Sequence, residues 1–370
     1  MRSTFRIMLL RWVELRDFRN HEHTKLKPIP EGLIVAVGAN GEGKTNLLEG
    51  MHFLYALQSP RASASEPLVR HGASSGFVRG EFQTRDGKVL VEAEVKTKGA
   101  NKVQVNRSPV RRRRDLRKQV RSVLFGPFDL PVITGDPARR RAFMDDAVVA
   151  LVPASDTLTS TYDKVVRQRN RLLKEHDGRG APHELSTWDE QLVETGTAVI
   201  QARASAVAAL SDAASAAFDD VAGYPLLVRY APNVAADGDI AESFREDLAE
   251  RRADELQRRA SLVGPHRDDL ELAVRDLGAR GFASHGETWV AALALRLAVA
   301  DAVEAAIGEP PIVIADDPYS ALDPTRRDHV AARLAARAGQ VVISVADDAD
   351  VPKQATQVLD VHAGSVKVRG

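Results

Sequence analysis

The stretch Gly38-Ala39-Asn40-Gly41-Glu42-Gly43-Lys44-Thr45 decides how the rest of the chain can fold, because it matches the pattern G-x-x-x-x-G-K-[ST]. The apolar run Leu33–Val37 precedes it directly, and residues 46–57 follow with the apolar spacing of a helix. A buried strand, a glycine-rich turn and a helix in this order turn backbone N–H groups and the positive end of a helix dipole toward phosphate oxygens. The stretch therefore predicts a nucleoside triphosphate site in an α/β fold.

The polar residues of this loop have distinct expected roles. Lys44 supplies a point charge to the β- and γ-phosphates and takes part in catalysis, while the Thr45 hydroxyl coordinates Mg²⁺. We expect the nucleotide ATP to be bound by the loop and by the first residue beyond it, namely Gly38, Ala39, Asn40, Gly41, Glu42, Gly43, Lys44, Thr45 and Asn46.

A second acidic element follows much later in the chain. The segment Pro311–Asp317 is a short apolar strand that ends in two aspartates. Carboxylates at the carboxyl end of a strand lie at the crevice where α/β sheets bind ligands. We expect Asp316 to hold Mg²⁺, directly or through water, and Asp317 to act as the catalytic group that polarises the attacking water.

Composition excludes several classes of protein. The 370 residues are 44% hydrophobic and 28% charged, which excludes a wholly disordered chain. No apolar run approaches the ~20 residues of a membrane span. With 0 cysteines, a disulfide scaffold, a thiolate zinc site and a cysteine nucleophile are excluded, and a location in the reducing cytoplasm, with no membrane partner, is expected.

Net charge favours no particular partner, because 51 basic residues balance 51 acidic ones. The distribution is more informative, since Arg111–Arg121 contains a dense basic block that can bind phosphates. A solvated surface face explains this block equally well, and a surface salt bridge explains Arg61 equally well. The candidate DNA contacts are Arg61, Arg111, Arg112, Arg113 and Arg114.

Strand and helix patterns alternate at both ends of the chain, whereas the middle is helical in pattern and rich in alanine, leucine, arginine and glutamate. The pattern predicts one split α/β head, residues 1–135 plus 259–370, that carries a helical domain of residues 136–258. Two independent domains are the alternative. Near the start, Val78–Phe82 and Val89–Val95 alternate in polarity about a turn, which predicts an antiparallel hairpin.

The order of the motifs along the chain resembles that of a known class of ATPases. After the phosphate loop and the long insertion, Ser284-His285-Gly286-Glu287 opens an apolar helix, and Ser320-Ala321-Leu322-Asp323 follows the acidic strand. This order resembles the SMC-like branch of the ABC-type ATPases. The resemblance implies that two copies sandwich ATP in a homodimer. Ser284 and Gly286 would then contact the γ-phosphate of the second copy, Glu287 would stand where the wider family has glutamine, and Asp323 would lie at the dimer seam.

Further stretches narrow the resemblance to the RecF family. They are Asp17-Phe18-Arg19-Asn20-His21, Phe125-Gly126-Pro127-Phe128-Asp129-Leu130 and Gly264-Pro265-His266-Arg267-Asp268-Asp269-Leu270. The resemblance implies an ABC/SMC-type P-loop ATPase head without a long coiled coil, acting in recombinational repair and replication-fork maintenance. It also implies ATP-dependent dimerisation on duplex DNA near single-strand gaps and slow, DNA-stimulated hydrolysis. RecR and RecO are the implied partners in helping RecA to displace single-strand-binding protein.

Several positions depart from the wider pattern or carry no derivable role. The histidine that follows the last core strand in ABC transporters is missing after Val345, which argues against a transporter subunit. A non-catalytic protein that uses ATP only structurally is a further alternative. Gln58 is a candidate for the water-positioning glutamine on position alone. His21 and His23 lack a spaced metal partner, and we expect both at the surface.

Overall fold

The structure is a computed structural model, and it describes residues 7–175 and 184–370. These residues form two compact units. The first takes its described residues from Met1–Leu130, Ala216–Pro225 and Ala283–Gly370, and the second from Pro131–Ser215 and Leu226–Phe282.

The strands lie in chain order from near the start of the chain to its end. They are β1 (Leu9–Phe18), β2 (His21–Leu26), β3 (Gly32–Val37), β4 (Ser75–Thr84), β5 (Gly87–Lys96), β6 (Lys102–Val105), β7 (Ser108–Pro109), β8 (Ser122–Phe125), β9 (Leu226–Ala231), β10 (Asp269–Val274), β11 (Leu277–Gly278), β12 (Ile312–Ala315), β13 (Gln340–Val345), β14 (Gln357–His362) and β15 (Ser365–Val368).

The α-helices dominate the middle of the chain. They are α1 (Lys44–Ala56), α2 (Arg113–Arg117), α3 (Leu130–Thr134), α4 (Pro137–Leu151), α5 (Leu158–Glu175), α6 (Leu185–Ala222), α7 (Ile240–Glu250), α8 (Arg252–Arg258), α9 (Ala279–Phe282), α10 (His285–Ile307) and α11 (Pro324–Ala335). Short 3₁₀ turns occupy Glu66–Leu68, Pro127–Asp129, Pro153–Ser155, Pro265–Arg267 and Asp348–Asp350.

A mostly parallel sheet of the first unit positions the phosphate loop and the acidic pair. Its strand order is β15-β14-β3-β13-β12-β8, and only β15 runs antiparallel to its neighbour. Val345 at the end of β13 pairs with Val37 at the end of β3, and Ile343 pairs with Ala315 at the end of β12. The phosphate loop and Asp316 therefore leave the same edge of the sheet, as expected for an α/β fold.

The second sheet of this unit is antiparallel, with the order β2-β1-β4-β5-β6-β7. Thr84 pairs with Gly87 across the turn between β4 and β5, which confirms the predicted hairpin. Apolar residues of β1, β4 and β5 share one buried core with those of α1, β3 and β12. Helix α1 is thus fixed by packing on its apolar positions, among them Leu47 and Leu48, which are completely buried.

The second unit combines helices with a three-stranded sheet of order β11-β10-β9. Its core is built around Tyr162 and Phe244. The grouping differs from the predicted boundaries at two places. Residues 259–282 belong to the second unit because β10 pairs along its whole length with β9, which lies inside the insertion. Residues 216–225 belong to the first unit, where Asp220 pairs with Arg333.

Candidate functional site

The loop between β3 and α1 depends on glycine at two places. Gly43 has φ 115°, and a Cβ there would lie 2.7 Å from the Asn20 Nδ2 atom. At Gly38 a Cβ would lie 2.2 Å from the carbonyl oxygen of Val361. A side chain at either position would displace neighbouring atoms, so the glycines allow the loop to close tightly around an anion.

Lys44 is the buried cation of the loop. Its Nζ atom donates to the carbonyl oxygens of Gly38, at 2.5 Å, and Ala39, at 2.9 Å. Burial lowers the pKa of Lys44, and the negative charges of Asp317, Asp316 and Glu42 oppose that shift. The side chain is therefore already turned toward the loop, where an ammonium group would meet phosphate oxygens.

Thr45 and Asp316 converge from opposite parts of the chain. The Thr45 hydroxyl lies 2.9 Å from each carboxylate oxygen of Asp316, and the Ser344 hydroxyl donates to Asp316 Oδ1 at 2.7 Å. These are oxygen ligands, the type that Mg²⁺ prefers, and one carboxylate with a hydroxyl is the usual protein share of a Mg²⁺–nucleotide site. The residues present therefore fit the predicted metal ion.

Asp317 follows in an unusual backbone conformation. Its φ is 52°, in the left-handed region that residues other than glycine rarely adopt. Its backbone N–H donates to the Ser344 hydroxyl at 2.8 Å. Burial and the charge of Asp316 raise the pKa of Asp317, while a hydrogen bond from Ser320 and the charge of Lys44 lower it. Asp317 is thus a carboxyl whose proton affinity is above the ordinary value, close to Asp316 and Lys44.

The loop is supported from behind by residues without a predicted role. His21 is completely buried, with Nε2 3.1 Å from the carbonyl oxygen of Gly43 and Nδ1 2.9 Å from the Thr24 hydroxyl. Burial lowers its pKa, so the neutral ring donates from Nε2 to the carbonyl. The expectation that His21 lies at the surface is wrong, because the β1–β2 hairpin places it under the loop. His23 is exposed, as expected, and lies near Glu14.

Glu42 faces away from the loop and toward the turn between β14 and β15. Its carboxylate accepts from the backbone N–H of Ala363 and lies 3.0 Å from His362 Nδ1. Its carbonyl oxygen accepts from the N–H of Gly364 at 2.8 Å. The carboxylate of Glu42 therefore has its partners outside the phosphate-binding surface. The hairpin of β14 and β15 holds the phosphate loop through these contacts.

Asn46 and Arg61 belong to a polar network beside the first turn of α1. Arg61 donates to Asn46 Oδ1 at 3.0 Å and to the buried carboxylate of Glu49 at 3.3 Å. Arg19 binds the same carboxylate through two nitrogens, at 2.8 and 2.9 Å, and the Asn46 amide donates to Asn20 at 2.8 Å. Arg61 thus has partners in its own chain next to the phosphate loop.

The Ser284 motif opens α10 as an N-cap. Ser284 Oγ accepts from the N–H of Glu287 at 3.3 Å, and the Glu287 carboxylate accepts from the N–H of Ser284 at 2.7 Å, which forms a capping box. Glu287 is buried and accepts a hydrogen bond from Tyr224, whereas Ser284 is exposed. Asp323 caps α11 with its side chain alone, which accepts from the N–H of Arg326, and this side chain is 54% exposed. Gly286 lies close to the start of α11, since a Cβ there would be 3.1 Å from Arg326 Nη1 and 3.3 Å from the carbonyl oxygen of Ala321.

The arginine block begins in an exposed loop and continues into α2. Arg111 and Arg112 are exposed, and Arg113 donates to the Gln58 side chain at 2.7 Å. Arg114 is half-buried in the first turn of that short helix. The side chain of Gln58, which is exposed beyond the end of α1, is thus hydrogen-bonded to the arginine block.

The segment Gly264–Leu270 lies in the second unit and is tied into its interior. Asp268 is completely buried, accepts from Arg203 Nη1 at 3.0 Å and from the N–H of Asn233 at 2.8 Å, and also pairs with the Tyr230 hydroxyl. Arg140 binds both oxygens of Asp269, at 2.6 and 2.9 Å. These contacts give the segment a structural role within its unit.

Sequence reasoning missed two residues of the site, Ser344 and His21, and only Ser344 carries a recognisable signal. Ser344 interrupts the apolar residues 341–345 of β13, and a polar residue inside a buried strand must find a partner. His21 is the first residue of β2 and gives no comparable signal, since its contact with Gly43 joins parts of the chain that are distant in sequence.

In residues 7–175 and 184–370, no helix has the length and apolarity needed to cross a bilayer.

Comparison with known proteins identifies the family. The model of the RecF/RecN/SMC N-terminal domain family matches residues 9–368. A protein of Streptomyces avermitilis named DNA replication and repair protein RecF is 39% identical over 353 residues, which cover 92% of this chain and 94% of the relative. A protein of the same name from Frankia alni is 40% identical over 366 residues, covering 94% of this chain and 96% of the relative.

Solved structures agree with this result. A structure of the recombination mediator protein RecF-ATP in the RecFOR pathway superposes with a TM-score of 0.87, 25% identity and coverage of 100% of both chains. The Smc head domain of Pyrococcus furiosus shares the fold at a TM-score of 0.58 and 17% identity, covering 98% of this chain and 96% of the other. The fold is therefore that of an ABC/SMC-type ATPase head, and the chain belongs to the RecF family within the RecF/RecN/SMC N-terminal domain family.

Proposed function

We propose that this protein is an ATP-dependent DNA-binding protein of recombinational repair and replication, and that it hydrolyses ATP slowly. The observation that carries the proposal is the convergence of Lys44, Thr45, Asp316 and Asp317 at one edge of the parallel sheet. The names of the relatives, DNA replication and repair protein RecF, support the choice of DNA repair and replication as the setting.

Hydrolysis follows from the roles of these residues. The loop residues Gly38 to Asn46 bind the phosphates, and Lys44 adds positive charge where negative charge develops. Bound Mg²⁺, held by Thr45 and Asp316, would neutralise charge on the β- and γ-phosphates. Asp317 accepts a proton from the water whose oxygen bonds to the γ-phosphorus, while the bond from that phosphorus to the bridging oxygen breaks and ADP leaves. The short, half-buried side chain of Asp317 is consistent with a slow step.

ATP would act as the switch for dimerisation. Ser284 and Asp323 cap their helices from positions that are exposed in the single chain, and Gly286 lies in the first turn of α10. An exposed helix N-terminus with a serine hydroxyl suits a phosphate oxygen of a nucleotide bound to a second copy. We infer that Ser284, Gly286 and Glu287 complete the partner's site. ATP then shifts the population to the dimer because it contacts both copies only there.

DNA would be bound through phosphates. Arg111, Arg112 and Arg114 form the candidate contact, together with Arg113, whose bond to Gln58 keeps it on the same surface. Such contacts do not depend on base sequence and weaken strongly with salt. Arg61 is the weaker candidate, because its guanidinium group is bound by Asn46 and Glu49. The preferred DNA in this proposal is duplex next to a single-strand gap.

The expected protein partners are RecR and RecO, which would act with this protein to promote RecA loading. The support is the family resemblance and the RecFOR pathway named for the structural neighbours. We also propose that the chain is divided into a split ATP-binding head and an inserted helical domain, with residues 259–282 on the side of the insertion.

Mass measurement by light scattering tests the proposal. The wild-type protein, Ser284→Arg and the matched exposed-surface control Ser108→Arg are compared in Mg-ATP, with and without a gapped duplex. We expect an ATP-dependent dimer that persists on DNA for wild type and control, and a monomer for Ser284→Arg. A monomer under every condition would contradict the switch, and multiple-turnover phosphate release separates a catalyst from a protein that only binds ATP.

Two variants test the assignments inside the site. Lys44→Ala is expected to abolish ATP binding, because it removes the cation of the phosphate loop. Asp317→Asn is expected to bind ATP and trap the dimer, because the amide cannot accept a proton from water. Hydrolysis by Asp317→Asn at the wild-type rate would show that the role proposed for Asp317 is wrong.

A further inference from the structure

Ser344 is a buried serine with apolar neighbours on both sides in strand β13. It is the fifth residue of β13, and its exposure is 0%. A buried hydroxyl is costly unless it finds hydrogen-bond partners. Ser344 has two, because it donates to Asp316 Oδ1 at 2.7 Å and accepts from the N–H of Asp317 at 2.8 Å. One hydroxyl therefore contacts the carboxylate of Asp316 and the backbone of Asp317.

The contact with Asp317 bears on the direction of its carboxylate. Asp317 has φ 52°, and such a conformation persists in a residue other than glycine only where its surroundings hold it. The backbone N–H of Asp317 is held by the Ser344 hydroxyl, and the preceding N–H of Asp316 donates to the carbonyl oxygen of Phe125 at 2.9 Å. The Ser344 hydroxyl is thus the acceptor for the backbone N–H of Asp317, which adjoins the strained φ torsion of that residue.

We propose that Ser344 is a positioning residue for ATP hydrolysis, because its hydroxyl fixes the turn through Asp316 and Asp317 so that the second carboxylate faces the attacking water. The inference rests on the proposed function, in which Asp317 accepts the proton of that water. Ser344 does not itself touch the nucleotide in this account.

The proposed role of Ser344 predicts a loss of ATP hydrolysis without a loss of ATP binding. Without the Ser344 hydroxyl, Asp316 still has the Thr45 hydroxyl as a partner, and the contacts of Lys44 with the loop are unchanged. The backbone N–H of Asp317 loses its acceptor, so the strained turn can relax. We therefore expect the loss to appear in kcat and not in the affinity for Mg-ATP.

The test compares three variants of the full chain, namely Ser344→Ala, Ser344→Thr and Val342→Ala. Val342 precedes Ser344 by two residues on the same face of β13 and is buried to a similar degree, so Val342→Ala controls for lost packing. Equilibrium binding of Mg-ATP and multiple-turnover phosphate release are measured for each variant, with circular dichroism as a check of folding.

We expect Ser344→Ala to lower kcat about tenfold, the equivalent of one ordinary hydrogen bond, with Mg-ATP affinity within about twofold of wild type. Ser344→Thr, which keeps the hydroxyl, is expected to retain most of the rate, and Val342→Ala is expected to do the same.

Three outcomes would overturn the inference. A wild-type rate in Ser344→Ala would show that the hydroxyl does not act on the reaction. Equal losses in Ser344→Ala and Val342→Ala, or in Ser344→Thr and Ser344→Ala, would assign the effect to packing. If the wild-type protein binds Mg-ATP but releases no phosphate, the proposed hydrolysis itself fails and this inference fails with it.

Discussion

The hydroxyl of Thr45 lies 2.9 Å from both carboxylate oxygens of Asp316, although 271 positions separate the two residues in the chain. Thr45 ends the phosphate-loop motif as the second residue of α1, and Asp316 directly follows strand β12. Their meeting turns two local motifs into one site whose oxygen atoms suit Mg²⁺.

The first prediction concerns this pair. Asp316→Asn removes the negative charge from the pair and is expected to weaken Mg-dependent ATP binding by about 2 kcal/mol, or roughly thirtyfold. Equilibrium binding with and without EDTA measures the effect, and the exposed-turn variant Asp86→Asn serves as the charge-matched control. If EDTA weakened ATP binding equally in wild type and Asp316→Asn, Asp316 would have no part in holding the metal.

The second prediction concerns support of the loop. His21→Ala removes the side-chain donor to the carbonyl oxygen of Gly43, which keeps the N–H of Leu47 as a partner, and is expected to weaken ATP binding about tenfold, the cost of one such bond. His23→Ala is the matched control, because His23 is close in sequence but its side chain is 59% exposed. Equal affinities of the two variants would mean that the loop keeps its conformation without His21.

The third prediction concerns pH. Burial raises the pKa of Asp317 above the ordinary value of 3.8. Only the ionised carboxylate can accept a proton, so kcat is expected to fall as pH decreases through this raised pKa. Rates of phosphate release, measured from neutral pH downward for as long as the protein stays folded, give the profile. The residual rate of Asp317→Asn should lack this acidic limb, and a wild-type limb that persists in the variant would belong to another group.

The fourth prediction concerns stability of the second unit. Asp268→Ala leaves the buried guanidinium group of Arg203 with one carboxylate partner fewer and is expected to lower the free energy of unfolding by about 3 kcal/mol. Asp254→Ala is the control, since its pair with Arg251 is exposed and is worth about 0.5 kcal/mol. Denaturant unfolding of both variants decides the matter. A loss of ATP affinity with no loss of stability would instead give the segment a role at the site.

Elements with strong local patterns could be predicted from the sequence. The strand before the phosphate loop, helix α1 and the hairpin of β4 and β5 were predicted and are confirmed. Strand β9 lies inside a segment that looks like a break between helices, and its place is set by pairing with β10. The same pairing draws residues 259–282 out of the predicted head.

By itself, the sequence determined the phosphate loop and the acid at the end of β12, because both are local patterns in which backbone shape and side-chain type lie within a few residues. Only the tertiary structure decided that His21 lies under Gly43 and that Ser344 binds Asp316 and Asp317. Adjacent parallel strands, such as β12 and β13, are joined by long connections, so their contacts leave no spacing to read in the chain.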